Sequence, residues 1–435
     1  MSMYPTSLTK VQKLVNQKYN FSAPTIPAVG KADDREIVAF DSTSSNFRSD
    51  MGAQGRINIE DASRYLDLDS GLLAFQVYPR QSNGSPITGG TAPVFSNAGM
   101  GALISRVTLS LNGVVIADVD GYNLLHTLEN HTEPRGRKAC LQKTEYYYRP
   151  TIFSDTSAQS GGIAVFLPLK LGMFMIDKSF PLGIVAGKGL TLDVYFGNKG
   201  DIFNSLGATT GAVGYLEITN LQFRCDLVKP SPEFQSSMLE WIEHGNALSL
   251  PYSRTFHDVH MPPAGSTTTI SINTNFCQSL RHIVIVGRTA AVMASTDKLS
   301  GFSSLNVTSY QMKIGGVIIP RQSPFKYGNL SQEGLARMLA SGKNIDTVVD
   351  TVTGEAPKNV DLWNGVNGHY ISILLGTQEF SSGYDCRNVS DIKITLTCEG
   401  TPFTQGDRFD IFYTTDELLT ISKGTVQVEN QWLEV

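Results

Sequence analysis

Two histidines flank an aspartate in the stretch FHDVHMPP, where His257 and His260 stand three positions apart with Asp258 between them. Imidazole and carboxylate groups are common ligands of transition metals. The stretch alternates like a β-strand, and residues three apart on a strand face opposite sides of the sheet, so the two imidazoles cannot easily share an ion. The remaining histidines are scattered and form no HxH or HxxxH pair. The sequence therefore predicts no metal site and no cofactor.

Motifs for nucleophilic or phosphate chemistry are also missing from the sequence. It contains no GxSxG elbow and no GxxxxGK[ST] loop. Its five cysteines form no CxxC pair, and this odd, dispersed set predicts reduced thiols rather than a zinc site or a disulfide framework. A glycosidase-type carboxylate pair stays open, because any of the 40 acidic residues can pair in space. We predict no catalytic residue and a protein that is not an enzyme.

The amino-terminal segment, residues 1–35, is basic and has apolar residues at helical spacing. Its first acidic residue is Asp33, and prolines at 24 and 27 end any helix. The lysines that lie among the apolar positions are Lys10, Lys13 and Lys18. We predict a short basic amphipathic arm. Two interpretations stay open: a terminal helix packed on its own domain, or an arm that contacts a neighbouring subunit, an anionic membrane or a polyanion.

A polar, aromatic segment at residues 132–161 contains the stretches EPRGRK and EYYYRP, and we expect it to be a loop. Tyrosine and arginine are enriched in the cores of protein interfaces. A solvated basic loop and a half-buried aromatic strand explain the same residues, so these alternatives stay open. The candidates for contact between subunits are Arg135, Arg137, Lys138, Tyr146, Tyr147 and Tyr148.

The size and composition of the chain bound its function. At 435 residues it exceeds one comfortable hydrophobic core, so two domains of about 200 residues each are expected. Charged residues make up 17% and the net charge is −5, which argues against a general nucleic-acid binder. Low charge is typical both of all-β proteins and of surfaces covered by partners. The sequence has no long apolar run and no apolar signal-peptide core, so we expect a protein made and used in the cytosol or nucleus.

Strand patterns fill most of the chain after residue 58, and they occur in the same order twice. LSLNGVVIADVD at Leu109–Asp120 has a counterpart about 200 positions later, QMKIGGVIIPRQ at Gln311–Gln322. Each is a pair of apolar strands around a small-residue turn, and each precedes a helix-like run, at residues 121–131 and 331–341. The repeat indicates that an all-β domain has been duplicated.

Many short strands, few helices and long loops predict antiparallel β-sandwiches, and the eight-stranded jelly roll fits the size of each half. We predict an all-β protein with two tandem eight-stranded antiparallel jelly rolls, a double jelly roll, with short helices. The prolines of KPSPEF mark the break between them. The predicted divisions are a basic arm at 1–35, a first jelly roll at 36–229, a linker helix at 230–247, a second jelly roll at 248–425 and a C-terminal tail at 426–435.

Three stretches carry a resemblance to a known family. They are ISRVTLSLNGVVIADVDGYNLLHTL (104–128), LSLPYSRTFHDVHMPPAGSTTTISI (248–272) and, most specific, LRHIVIVGRTAA with DKLSGFSSLNVTSYQMKIGGVIIPRQ (280–322). In the order and character of these segments the chain resembles the double jelly-roll major capsid proteins of tailless icosahedral double-stranded DNA viruses. Within that family it is similar to the Polinton/adintovirus, virophage and polinton-like group, over most of residues 40–420.

The resemblance implies a structural subunit that forms homotrimers of pseudo-hexagonal outline, which tile an icosahedral shell around a double-stranded DNA genome. It implies penton and minor capsid proteins as partners, no sequence-specific nucleic-acid binding, and a location in the virion after assembly in the host cytoplasm or nucleus. The basic arm would lie at the base, toward minor proteins, an inner membrane or the genome. The segments that would lie at the outer end or between subunits are 132–161, 173–187, 342–367 and 377–387.

Two other functions stay open at this point. A carbohydrate-binding or carbohydrate-active two-domain β-sandwich protein needs an exposed aromatic platform and a carboxylate pair in a cleft, and the only tryptophans available are Trp241, Trp363 and Trp432. A cupin-type metalloenzyme needs clustered histidines inside a barrel, and the scatter of histidines along the sequence opposes it.

Overall fold

A computed structural model of the protein describes residues 34–429 with internal gaps. Four α-helices and 24 β-strands lie in the described part. The residues not described within this span are 88–92, 96–97, 133–134, 148–161, 185–188, 206–211, 231, 274–278, 295–298, 300–302, 304, 320, 322–323, 327–369, 376–382, 387–388, 390, 399 and 423–424.

The first half of the chain holds thirteen strands and two helices. In chain order they are β1 (Asp34–Asp41), β2 (Asn46–Arg48), β3 (Gln54–Ile59), β4 (Tyr65–Asp67), β5 (Leu72–Arg80), β6 (Val94–Phe95), β7 (Ile104–Leu111), β8 (Val114–Asp120), α1 (Tyr122–Thr132), α2 (Arg135–Thr144), β9 (Ile163–Pro168), β10 (Ser179–Pro181), β11 (Leu190–Phe196), β12 (Phe203–Ser205) and β13 (Tyr215–Lys229).

The helix α3 (Pro232–Glu243) connects the two halves, at the place where the sequence predicts a linker helix. The second half follows as β14 (Leu248–His260), β15 (Thr267–Ile272), β16 (Ser279–Arg288), α4 (Ala290–Ala294), β17 (Val307–Ile314), β18 (Val317–Ile319), β19 (Phe325–Lys326), β20 (Tyr370–Leu374), β21 (Tyr384–Asp385), β22 (Ile392–Cys398), β23 (Arg408–Ser422) and β24 (Thr425–Glu429).

The first half folds into two antiparallel sheets that enclose one apolar core. One sheet has the strand order β3–β11–β7–β8. In the other, β1 and β2 pair with one side of β13, while β5 and then β9 lie on its other side, and the short β4 and β10 extend this sheet. Strand residues alternate between the core and the outside, as on β9, because successive side chains point to opposite faces.

The second half repeats this topology strand for strand. Its sheets have the orders β15–β22–β17–β18 and β14–β23–β16–β20. The strands β3, β11, β7 and β8 therefore correspond to β15, β22, β17 and β18, and β1, β13, β5 and β9 correspond to β14, β23, β16 and β20. Two four-stranded sheets with this connectivity form a jelly roll. The predicted all-β double jelly roll is confirmed.

The duplicated hairpin occupies the same place in both rolls. Leu111–Val114 closes around Asn112 and Gly113, which have φ angles of 50° and 83°. Ile314–Val317 closes around Gly315 and Gly316, of which Gly315 has a left-handed φ of 55°. A left-handed backbone in a two-residue turn favours asparagine and glycine, because the turn then matches the twist of the flanking strands. The small residues that mark the repeat in the sequence are therefore required by the turn.

The two rolls pack directly against each other, and we call this contact the seam. It consists of β8 and the turns at 121 and 172–175 from the first roll, with β14 and β24 from the second. Buried side chains of β14 belong to the same apolar cluster as the core of the first roll. The hydroxyl of Tyr252 on β14 donates to the carbonyl of Ile116 on β8 at 3.0 Å. The second roll has a separate core of its own.

Two element predictions are corrected by the structure. Residues 135–144, expected within a loop, form α2, because Arg, Lys, Ala, Leu and Gln dominate this run and favour a helix. Residues 426–429, expected in a C-terminal tail, belong to β24 (Thr425–Glu429), because TVQVE alternates and pairs with the end of β23. The predicted helix at 331–341 and the expected loop at 342–367 lie outside the described residues. No helix in the described ranges is long and apolar enough to span a membrane.

Replacing Gly172 with alanine is expected to disrupt the seam. A Cβ atom at Gly172 would lie 1.7 Å from the backbone oxygen of Ser253 on β14, so the backbone of one roll must shift. We expect a loss of at least about 2 kcal/mol in the free energy of unfolding, measured by chemical denaturation. The matched control is Gly200→Ala, where a Cβ meets nothing within 4 Å, and it should change stability by less than about 0.5 kcal/mol. Equal stability of the two variants would contradict close packing at the seam.

Candidate functional site

The predicted contact residues of the amino-terminal arm, Lys10, Lys13 and Lys18, lie outside the described residues. The contact residues predicted between 135 and 148 are distributed over different environments. Their placement does not test whether they contact another subunit, which stays a prediction.

Arg135, Arg137 and Lys138 lie on α2 rather than in a loop, and Arg137 is exposed. Tyr147 is buried inside its own chain, with 1% of its surface exposed. The hydroxyl of Tyr146 donates to the carbonyl of Ala164 at 3.1 Å, and its ring is half-buried. Contacts within the chain therefore account for these two aromatic rings. Tyr148 lies outside the described residues.

The two histidines of FHDVHMPP bind different partners. His257 Nε2 lies 3.0 Å from Asp410 Oδ1, whereas His260 Nε2 lies 2.7 Å from Thr268 Oγ1. No group of three or more metal-binding side chains is assembled within the described ranges. Trp241 is half-buried and packs against the apolar core, and the other two tryptophans lie outside the described residues. No observation here favours the carbohydrate or cupin alternatives.

A buried ionic cluster lies in the second roll where the first roll covers it. Asp410 on β23 has 0% of its side chain exposed. Its Oδ2 accepts a hydrogen bond from Nη2 of Arg288 on β16 at 2.6 Å, and its Oδ1 accepts one from Nη2 of Arg408 at 2.6 Å. With His257 on β14, these residues form what we call the Asp410 cluster. The cluster ties together three neighbouring strands.

The charges of the Asp410 cluster compensate its burial. Burial acts to raise the pKa of Asp410, but the hydrogen bond from His257 and the two arginine charges outweigh it and lower the pKa from 3.8 to about 2. A buried carboxylate that remains ionised is stable only when it is paired and hydrogen-bonded in this way. The cluster therefore holds a permanent charge inside the protein.

Gly121 of the first roll packs against His257, one of the residues of the Asp410 cluster. The His257 ring stacks on Phe412 with the ring centroids 4.6 Å apart. A Cβ atom at Gly121 would lie 2.8 Å from Cε1 of that histidine, and the φ of Gly121 is 67°. The first residue after β8 must therefore be glycine, both for its left-handed backbone and for the close approach of the two rolls.

The first roll contains the counterpart of this ion pair. Arg80 begins the ladder between β5 and β13 by pairing with Tyr215, as Arg288 begins the ladder between β16 and β23. Glu217 lies two residues into β13, as Asp410 lies two residues into β23. Arg80 Nε donates to Glu217 Oε2 at 2.7 Å, and the two side chains are 21% and 27% exposed. The equivalent pair is therefore buried in the second roll and partly exposed, or half-open, in the first.

A second buried acid, Glu417 on β23, lies near the seam. The hydroxyl of Thr415 donates to its Oε1 at 3.2 Å, while Oε2 has no hydrogen-bond partner in the described chain. Burial raises the pKa of Glu417 to about 7, with the charge of Arg254 working against this shift. Arg106 chiefly lowers the pKa of Asp118 on β8, and Arg254 adds to that effect. Arg254 therefore acts on one acid from each roll.

A third buried group, Glu145 with its partners on α1, lies in the long connection between β8 and β9. Glu145 Oε2 lies 2.7 Å from Nε2 of His126 on α1 and accepts a hydrogen bond from the amide of Asn130 at 3.0 Å. Burial acts to raise the pKa of Glu145, but His126 and the charge of Lys170 hold it below its usual range. Gly101 makes room for the imidazole, because a Cβ there would lie 2.0 Å from it. The connection is thus held against the first roll.

Sequence reasoning missed the groups around Asp410, Glu417 and Glu145, because each includes at least one partner from another strand or helix. Arg288 and Asp410, for example, are separated by 122 positions. One pattern could have revealed the ion pair: each long final strand, β13 and β23, carries an acid at its third position, and β5 and β16 each end in arginine. Aligning the two halves of the sequence places these residues together.

Comparison with known proteins finds neighbours by structure and none by sequence. No family model and no curated protein matches the chain. The PBCV-1 virus capsid matches with a TM-score of 0.62 and 10% identity, over 94% of this chain and 99% of that one. The Faustovirus major capsid protein matches with a TM-score of 0.58 and 9% identity, over 95% and 94%. A chain of the Sputnik virophage structure matches with a TM-score of 0.56 and 13% identity, over 94% and 91%.

At this level of identity the likeness establishes the fold. The chain has the double jelly-roll fold of these virus and virophage proteins. The resemblance found in the sequence to the double jelly-roll capsid family is confirmed at the level of structure.

Removing the charge of Asp410 is expected to cost far more than removing that of its counterpart. Asp410→Asn leaves the buried Arg288 and the half-buried Arg408 without their carboxylate, and we expect a loss of about 3–5 kcal/mol in the free energy of unfolding at pH 7. Glu217→Gln, the matched control in the half-open pair, should cost about 1 kcal/mol or less. Because the folded pKa of Asp410 is about 2 and its ordinary value is 3.8, its contribution is full above pH 4 and disappears as pH falls toward 2. Similar losses for both variants would contradict the difference in burial.

Glu417 is expected to make stability fall as pH rises. The unfolded chain loses this proton near 4.5 and the folded chain near 7, so the free energy of unfolding decreases across that interval and then levels off. Glu417→Gln should therefore be more stable than the parent at pH 8, with the advantage vanishing at pH 4, as measured by urea midpoints. The control Glu240→Gln, at an exposed position on α3, should keep the parent's profile. A parental profile in Glu417→Gln would contradict the assignment.

Proposed function

We propose that this protein is a major capsid protein, the structural subunit that assembles the icosahedral shell of a double-stranded DNA virus. The observation that carries this proposal is a jelly roll of identical strand order present twice in one chain, with a fold match to capsid proteins over 94% of its length. The buried clusters around Asp410 and Glu145 support a structural role, because they link strands and helices of the chain to one another. We infer that the protein is not an enzyme.

The duplication suits a trimer placed at a six-fold position. Three identical chains can fill a hexagonal outline only if each presents two similar units, and the two rolls supply them. In this proposal the chain divides into a basic arm (1–35), a first roll (36–229), a linker helix (230–247) and a second roll from 248 that includes β24. Trimers then pack side by side as capsomers of the virion.

Partners other than the chain itself belong to the same proposal. The basic arm with Lys10, Lys13 and Lys18 would face the interior, toward minor capsid proteins, an inner membrane or the genome. Its positive charge favours anionic surfaces without sequence specificity. Arg137 on α2, exposed in the single chain, would face a neighbouring subunit. Penton and minor capsid proteins would complete the shell.

The purified chain is expected to be a trimer and to form ordered assemblies. Size-exclusion chromatography with light scattering should give about three times the 47.4 kDa of the chain. Electron microscopy at higher concentration should then show particles of hexagonal outline, flat hexagonal arrays or closed shells. A stable monomer that never assembles, or one that hydrolyses glycans, would overturn the proposal.

A further inference from the structure

A lysine, an asparagine and a glutamate meet in the long connection between β8 and β9 and at its end. Asn130 lies on α1, Glu145 directly follows α2, and Lys170 comes soon after β9. Lys170 Nζ donates to Asn130 Oδ1 at 2.6 Å, and Asn130 Nδ2 donates to Glu145 Oε2 at 3.0 Å. The asparagine side chain therefore bridges an amine and a carboxylate. We call these three residues the Lys170 triad.

The orientation of the Asn130 amide is fixed by its two neighbours. An ammonium can only donate hydrogen bonds and a carboxylate can only accept them, so the amide oxygen must face Lys170 and the amide nitrogen Glu145. Because a carbonyl bond is about 1.2 Å long, Lys170 Nζ lies within about 4 Å of Asn130 Cγ. Groups react from about 3–3.5 Å, so a small rotation of the lysine side chain reaches the geometry for attack on that carbon.

The Lys170 triad is withdrawn from solvent and held in place. Asn130 and Glu145 are each 0% exposed, and Lys170 is half-buried. The backbone N–H of Lys170 donates to the buried hydroxyl of Tyr122 at 3.0 Å, which fixes the base of the lysine. His126 Nε2 lies 2.7 Å from Glu145 Oε2 and orients the carboxylate. Fixed neighbours in a site with little water favour reaction between them.

Glu145 is placed as an acid–base group for this asparagine. Its Oε2 contacts Asn130 Nδ2, and its Oε1 has no hydrogen-bond partner in the described chain. Burial acts to raise the pKa of Glu145, but His126 and the charge of Lys170 keep it below its usual range. An ionised carboxylate beside an ammonium can accept its proton. A buried oxygen left without a partner costs stability, so packing alone does not account for it.

We propose that Lys170 and Asn130 become joined in the folded protein by an isopeptide bond, with Glu145 as the acid–base group. Lys170 Nζ gives a proton to Glu145 and attacks Asn130 Cγ. The new N–C bond forms, the Cγ–Nδ2 bond breaks, and the side-chain nitrogen of Asn130 leaves. Of the three protons on the lysine ammonium, one stays on the new amide. The other two pass through Glu145 to the leaving nitrogen, which departs as ammonium. No atom changes its oxidation state.

The bond would close a loop of the chain that contains α2. Residues 130 and 170 are 40 positions apart, and a covalent link between them restricts the unfolded chain. It would also tie α1 permanently to the segment that follows β9. Formation of this bond is independent of capsid assembly, so its failure leaves the proposed function standing.

The first test measures the mass of the intact, denatured chain. Bond formation releases one ammonia, so we expect the parent about 17 Da below the mass of its sequence. Lys170→Arg keeps the positive charge but has no amine to attack, and it should have its full mass. The control is Lys178→Arg, at another half-buried lysine, and it should keep the deficit. A full mass in the folded parent after days at neutral pH would overturn the proposal.

Peptide mapping then locates the bond. Trypsin should leave one branched peptide in which Lys170 is joined to Asn130, because an acylated lysine is not cleaved. An asparagine can also lose ammonia by closing a ring onto its own backbone, and that reaction needs no lysine. A deficit that persists in Lys170→Arg, or a parent digest without the branched peptide, would therefore overturn the proposal.

A third variant tests the role of the carboxylate. Glu145→Gln keeps the size of the side chain but cannot accept the proton, so the bond should form at least about a hundredfold more slowly. A parental rate would contradict the acid–base role. Circular dichroism checks that this variant folds, and where it does not, Lys170→Arg still decides whether the bond exists. Lys170→Arg should also melt at least about 5 °C below Lys178→Arg, because it lacks the closed loop.

Discussion

The structure depends on how a β-sandwich covers its edge strands. Each jelly roll ends in strands whose outer backbone groups and apolar side chains invite further pairing, and an uncovered edge leads to uncontrolled association. This chain covers one pair of edges internally, by packing β8 of the first roll against β14 of the second. The glycines at 121 and 172 and the Tyr252 hydrogen bond all serve that contact.

The ion pair that duplication placed in both rolls shows how one interaction changes with its surroundings. Arg80–Glu217 is partly solvated, where a salt bridge contributes little. Arg288–Asp410 is sealed by the first roll and recruits Arg408 and His257, because a buried carboxylate needs several donors to remain ionised. The added partners are a consequence of burial at the seam rather than of a different strand arrangement. The two rolls have the same strand order, and they differ in the burial and the partners of this ion pair.

Periodic patterns in the sequence predict the frame of this fold well. Alternation along the strands and the paired hairpins at Leu109–Asp120 and Gln311–Gln322 are local signals, so the double jelly roll, α1 and the linker helix follow from them. The helix α2 was missed because Gly136 and its polar neighbours resemble a loop, although most of its residues favour a helix. The buried clusters could not be predicted, since their partners meet only after folding. Glu145, for example, looks like one acid among 40 until α1 brings His126 to it.

Several acids of the described chain have pKa values that folding shifts. Asp410, Glu145 and Glu417 have shifted pKa values and are buried at 0–1% exposure, whereas Asp67, whose pKa is raised to about 6, keeps 15% of its side chain exposed. Packing explains these shifts: charged and hydrogen-bonding neighbours lower the pKa of Asp410 and Glu145, and burial raises the pKa of Glu417 and, with Asp69, that of Asp67. Glu417 lowers stability at neutral pH, yet it lies where Arg254 connects the two rolls. Arg254 lowers both the pKa of Glu417 and that of Asp118 on the first roll, so the charges of the two rolls are coupled at the seam.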